Sequence, residues 1–227
     1  ALSGLANVNF ITMSRLAVLL GSSNLCESGK SPLTPMMEIA CIRHVATQSG
    51  SDGPLRAVSS HIGMLGLLSR VFTELSYVEE STLATLAEID DLRAQLVDWY
   101  QVFKQETQQF YVTADLLRSA DENVRRGLML SSLAEIGHLV FYLVNDFSNP
   151  ELSLVKYLCE HNMASVVVGT VGETGIDEHS TQMAKMISPD FKPRDGDSQD
   201  IRTPMPVKLV RAPDAREEIR WLVRDIA

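Results

Sequence analysis

The sequence predicts a predominantly helical α/β fold. Three observations carry this reading. Residues 34–127 hold apolar residues at helical spacing with no strand signal. Two uninterrupted apolar runs, Leu139–Val144 and Ala164–Val168, have the length of strands buried on both faces of a parallel sheet. The stretch between those runs reads as a helix, which makes a βαβ unit. At 227 residues the chain is one large domain or two small ones, long enough to bury a real core.

The elements follow in order. Residues 7–12 are rich in β-formers and predict a short strand. Ser14–Leu20 predicts a short helix that Gly21 ends, and Gly, Ser, Asn and Pro punctuate residues 21–33 as loop. Thr34 followed by Pro35 is an N-cap followed by an N1 proline, so a helix should run from there to about Thr47. Ile62, Leu65, Leu68, Phe72 and Leu75 mark a long helix beyond the loop at 49–54. A shorter helix fits Ser81–Glu88, with Ser81 as cap. Another starts near Asp90 and runs toward Phe110, with Leu92, Leu96, Trp99, Phe103 and Phe110 on its apolar stripe. The acidic pairs Glu79/Glu80 and Asp90/Asp91 read as solvated helix edges. Thr113 should cap the helix that carries Leu116 and Leu117. After the two buried strands and their helix, which should end near Asn162, a polar linker covers 188–205. Val207–Val210 then predicts a strand and Asp214–Ile226 a helix.

Composition excludes some functions. With 45% hydrophobic and 22% charged residues the chain is ordinary for a globular protein. A net charge of −9 argues against tight, independent binding to nucleic acid, because phosphate neutralisation supplies most of that affinity. Three cysteines, Cys26, Cys41 and Cys159, show no disulfide framework and fit a reducing compartment. No apolar run approaches the roughly 20 residues of a membrane span. The expected location is the cytoplasm, with no membrane partner. The chain begins at Ala1 rather than Met, which suggests a fragment.

Catalytic signatures are incomplete. Gly29-Lys30-Ser31 ends like a phosphate loop, but Asn24 stands where the earlier Gly belongs, and Pro32 follows at once. Gly169, Gly172 and Gly175 follow a buried strand without dinucleotide-fingerprint spacing. A loop at the strand's carboxyl end is the plainer reading, although ligands of α/β sheets bind there. The five histidines make no metal-binding pair, and no Gly-x-Ser-x-Gly elbow exists. No catalytic, nucleotide-binding or metal-binding residue is therefore assigned. Arg125-Arg126 beside Gly127 is the strongest basic doublet. It reads as a helix-end charge pair, with a phosphate contact as the alternative.

The segment Gly4 to Ala17, with Asn7-Val-Asn-Phe-Ile-Thr12 at its centre, resembles the strand-to-helix segment after the nucleotide loop of AddB-type helicase–exonuclease subunits. These are RecB-like and UvrD-like members of helicase superfamily 1. Pro32-Leu-Thr-Pro35 resembles the entry to that family's helical insert, and Ala114-Asp-Leu-Leu117 its exit. Ala212-Pro-Asp-Ala-Arg-Glu-Glu-Ile-Arg-Trp221 resembles the opening of the second motor lobe. The resemblance implies an incomplete RecA-like motor lobe, a parallel sheet, with an inserted helical subdomain. It divides the chain into 1–31 (first lobe), 32–127 (insert), 128–187 (return to the first lobe), 188–205 (linker) and 206–227 (second lobe).

In that family a Thr-Phe-His-like motif touches single-stranded DNA. The resemblance implies such a role for Thr12, with Ser14 standing where the His would be. Arg125 and Arg126 complete the candidate DNA contacts. Leu143 and Val144 occupy the places of the metal-binding acid pair, with Asp146 the one acid nearby, and Val166-Val-Val-Gly-Thr-Val-Gly-Glu173 lacks the Asp and Gln of the next motor motif. The expectation is a non-catalytic scaffold or DNA path within a subunit that processes double-strand DNA ends for recombinational repair. The parent complex would use ATP and Mg²⁺, the fragment no cofactor. DNA would be met through the parent protein, a helicase–nuclease subunit would be the partner, and the incomplete sheet would favour self-association. The alternatives are a helical protein–protein adaptor with a small α/β base, and a nucleotide-binding enzyme that uses the Gly169–Gly175 loop.

Overall fold

A computed structural model describes residues 9–48, 53–55, 61–142, 144, 146–169 and 174–191. Their fold is mostly helical, with two small parallel two-stranded sheets. The first compact unit of the chain ends at Phe191. The strand predicted at Val207–Val210, the helix predicted at Asp214–Ile226 and most of the 188–205 linker lie outside the described residues.

The first helix, α1 (Met13–Glu27), opens at Thr12, whose hydroxyl accepts from the Arg15 N–H at 3.2 Å. Residues 9–12 form no strand, and Phe10 is 96% exposed, so the predicted strand has neither a ladder nor a core there. Gly21 does not end α1. Its backbone is buried against α6 (Thr113–Arg125), where a Cβ would sit 2.3 Å from the Leu116 carbonyl oxygen. The missing side chain serves close helix packing. The real stop is Gly29, at φ 79°, with the Gly29 and Lys30 N–H groups donating back to the Cys26 and Leu25 carbonyls.

Ser31–Pro32 forms β1, which pairs in parallel with β2 (Phe110–Tyr111). No strand was expected between 34 and 127, and two residues are too few to leave a periodic signal. Between these strands lie α2 (Pro35–Gln48), α3 (Ile62–Ser76), α4 (Glu80–Ala87) and α5 (Asp91–Glu106). Glu79, not Ser81, takes the N-cap position of α4, while Asp90 caps α5 as its sequence predicts. These helices share one core, in which Phe72 packs on Tyr100 and Phe103 with ring centroids 5.5 and 5.1 Å apart. Leu92, assigned to the buried stripe, is instead 44% exposed.

A second core joins α1, α6, the short helix α7 (Leu130–Ile136) and a βαβ unit: β3 (Leu139–Tyr142), α8 (Asn149–Glu160) and β4 (Ala164–Val167). Val112, not Thr113, takes the N-cap position of α6. This helix lies inside the 32–127 segment and packs on α1 and α8. The expected βαβ unit forms, with Leu139 opposite Ala164 and Tyr142 opposite Val167. Its sheet is not buried on both faces. Leu139 and Ala164 face the core, while Val140 is 57% and Tyr142 70% exposed. Asn162, at φ 58°, closes α8. The helix α9 (Thr174–Ile187) opens within the Gly169–Gly175 segment, where the sequence reading expected none, and packs Met183 and Ile187 near Val155 of α8. Helices α7 and α9 are the two that the sequence reading missed.

Candidate functional site

The four candidate DNA contacts sit on two helix ends. Thr12 and Ser14 lie exposed at the first turn of α1, where Thr12 is committed to capping. Arg125 and Arg126 occupy the last turn and C-cap of α6. Arg125 pairs with Asp121 at 2.9 Å, donates to the Ser153 hydroxyl at 3.1 Å and lies 4.7 Å from the Tyr157 ring centre. Arg126 pairs with Glu122 at 2.5 Å. Both guanidinium groups therefore already have intramolecular partners.

Of the positions aligned with motor chemistry, Leu143 lies outside the described residues, and Asp146 is exposed and accepts from the Phe147 N–H at 2.8 Å. Gly29-Lys30-Ser31 follows a helix C-terminus, so the Gly29 and Lys30 N–H groups turn back to α1 carbonyls, and the Ser31 N–H donates to the Gln109 carbonyl. Residues 170–173 of the glycine segment are outside the description. Among the described residues, no group of three or more His, Cys, Asp or Glu could hold a metal ion. The described helices include none long and apolar enough to cross a membrane.

The described residues enclose a cleft of about 840 Å³. The sequence reading did not find it, because its walls are far apart in the chain. The α3–α4 and α5 ends form one side, and β2 and the first turn of α6 form the other. Aromatic surface from Phe72, Tyr100, Phe103 and Phe110 lines it. Arg118 of α6 donates to the Ser76 carbonyl of α3 at 2.5 Å and pairs with Asp115 at 3.5 Å. Lys104 pairs with Glu80 at 3.1 Å, and Gln101 donates to the same carboxylate at 2.5 Å. Those hydrogen bonds from Lys104 and Gln101 hold the Glu80 carboxyl below its ordinary range.

Tyr100 is the most perturbed group of the cleft. Burial pushes its phenol from 10.0 up to about 12; the Asp115 and Glu80 carboxylates add to this, and Arg118 opposes it. The residue is 5% exposed. Two helices also begin at the cleft without side-chain caps, since Glu79 makes no cap bond and Val112 has no oxygen to offer. At α6, Asp115 instead accepts from the Val112 N–H at 3.0 Å.

Comparison with protein-family models, curated proteins and solved structures returned no match to this chain.

Proposed function

We propose that this chain is a non-catalytic scaffold piece of a helicase–exonuclease subunit that processes double-strand DNA ends in the cytoplasm. In this reading the βαβ unit with α1 and α6 is an incomplete RecA-like lobe, and the end of the insert moves from residue 127 to Phe110 because α6 packs on α1 and α8. Helices α2–α5 are its inserted subdomain, and a partner subunit supplies ATP- and Mg²⁺-dependent work. The observation that supports it is the pairing of β1 with β2. The chain leaves the base at Ser31 and returns at Phe110, and those two points are hydrogen-bonded neighbours. A helical block with its own core, entered and left through one paired neck, is what insertion into a lobe looks like.

Thr12 and Ser14 would lie along the DNA path. Arg125 would link α6 to α8, Arg126 would pair within α6, and both would contribute little to phosphate binding, since each already has a carboxylate. The experiment is fluorescence anisotropy of a labelled single-stranded oligonucleotide at low salt. The reading expects weak, salt-sensitive binding that Thr12→Ala with Ser14→Ala reduces. Absence of binding at every salt concentration would favour the helical adaptor instead.

A further inference from the structure

We propose that the helical block α2–α5 swings about the β1–β2 neck, and that the corner between α3 and α4 is the latch that holds it closed on the base of α1, α6 and the βαβ unit. The chain enters and leaves the block through the neck. There the Ser31 N–H donates to the Gln109 carbonyl at 3.1 Å and the Leu33 N–H to the Tyr111 carbonyl at 2.9 Å. Two connections side by side restrain rotation far less than two set apart. Beyond the neck, no described helix of the block packs along a described helix of the base. The two parts keep separate apolar cores. Parts of one chain with separate cores move relative to each other unless a large apolar interface joins them.

The α3–α4 corner makes the contact that the helices do not. Arg118 of α6 donates to the Ser76 carbonyl at 2.5 Å. Tyr77 packs against the core of the base, while its neighbour Val78 packs against the core of the block. Burial, then the Glu151 carboxylate of α8 and the Glu74 carboxylate of α3, raise the Tyr77 phenol above its ordinary value, which fits a ring lodged between the two parts. The space on either side of the corner is unfilled. On one side lies the cleft of about 840 Å³, and on the other a groove of about 400 Å³ lined by Tyr77, Glu79, Arg118, Arg125 and Pro150. A contact flanked by gaps forfeits the dispersion that holds a close-packed interface shut. The Arg118 side chain is 47% exposed, so water competes for its bond to the corner. A block that turns on a few neck residues and is held by one weak corner is a hinge with a latch. The motion needs no DNA-processing role for the chain.

The test is pulsed electron–electron distance measurement on the full chain, with Cys26, Cys41 and Cys159 replaced by alanine. One pair of nitroxide labels, at Glu88→Cys in α4 and Glu122→Cys in α6, reports on the hinge. A second pair, at Glu88→Cys and Arg43→Cys in α2, reports on the block alone. The expected result is a short and a long distance for the first pair and one distance for the second. Arg118→Ala and Tyr77→Ala should each raise the long population relative to the short by about threefold or more, with the pair inside the block unchanged. Arg118 is partly exposed, so its variant keeps the test open if Tyr77→Ala fails to fold. A single hinge distance that neither substitution alters would overturn the proposal. So would a matching change in the pair inside the block, because that is local unfolding and not rotation about the neck.

Discussion

The Ser119 hydroxyl donates to the Gly21 carbonyl at 2.8 Å, inside the buried crossing of α1 and α6. One turn away, Asn123 Nδ2 donates to the Leu20 carbonyl at 2.8 Å. Two polar side chains of α6 thus read two consecutive carbonyls of α1. Only a glycine at position 21 lets the helices approach that closely. This crossing, with Leu16, Leu20 and Leu117 packed around it, anchors the base to which the helical block is attached.

Gly21→Ala should destabilise the chain by about 1–3 kcal/mol. Helix propensity alone favours alanine by up to about 1 kcal/mol. The steric effect should win, because the added methyl meets backbone, the Leu116 oxygen at 2.3 Å and the Ala120 nitrogen at 3.0 Å, and backbone cannot turn aside. Urea denaturation measures the outcome, and a more stable variant would contradict the packing described.

Asn123→Asp should cost several kcal/mol at neutral pH. It replaces the buried donor to Leu20 with a carboxylate and places a charge at a site 1% exposed. Such a carboxyl would have a folded pKa raised by burial. The penalty should therefore shrink as pH falls and the acid, once protonated, can donate to the Leu20 carbonyl. Melting curves of both proteins from pH 7 to pH 4 test this; a penalty that grows on acidification would refute it.

Tyr100 predicts an alkaline signature. Its folded pKa lies above its unfolded value, so its contribution to stability is complete below pH 10.0 and is lost as pH rises toward about 12. Difference absorbance should show one phenol titrating near the top of that window. Tyr100→Phe should abolish that step and lessen the loss of stability between the same limits. Unchanged alkaline unfolding in the variant would show that the phenol is not buried as described.

Arg125→Ala should change stability by less than about 1 kcal/mol, despite its three partners. The side chain is 45% exposed, and solvent screens its pair with Asp121. A loss of several kcal/mol on thermal denaturation would show that the Arg125–Tyr157 stack contributes more than an exposed contact should.

Much of the helical framework was legible because long helices repeat their pattern. Thr34-Pro35 and Asp90 announced their helices through elementary capping chemistry, and the two apolar runs at Leu139 and Ala164 announced a parallel pair. Gly21 misled because a glycine that stops a helix and one that admits a neighbouring helix look the same until the neighbour is known. The neck at Ser31 and Phe110 was invisible because its two strands are short and 79 positions apart, as counted from the pairing of residues 31 and 110. Helix α9 hid behind glycines that read as loop. The cleft was illegible for a related reason: Lys30, Glu79, Tyr100 and Arg118 share a space only after the fold brings four separate segments together.

The central claim is that this chain supplies architecture to a DNA-processing machine and performs no hydrolysis itself. The most direct measurement is steady-state phosphate release from ATP by the purified chain, with Mg²⁺ and single-stranded DNA present. The account predicts a rate indistinguishable from the protein-free blank. Clear, saturable turnover that follows the chain through purification would contradict it.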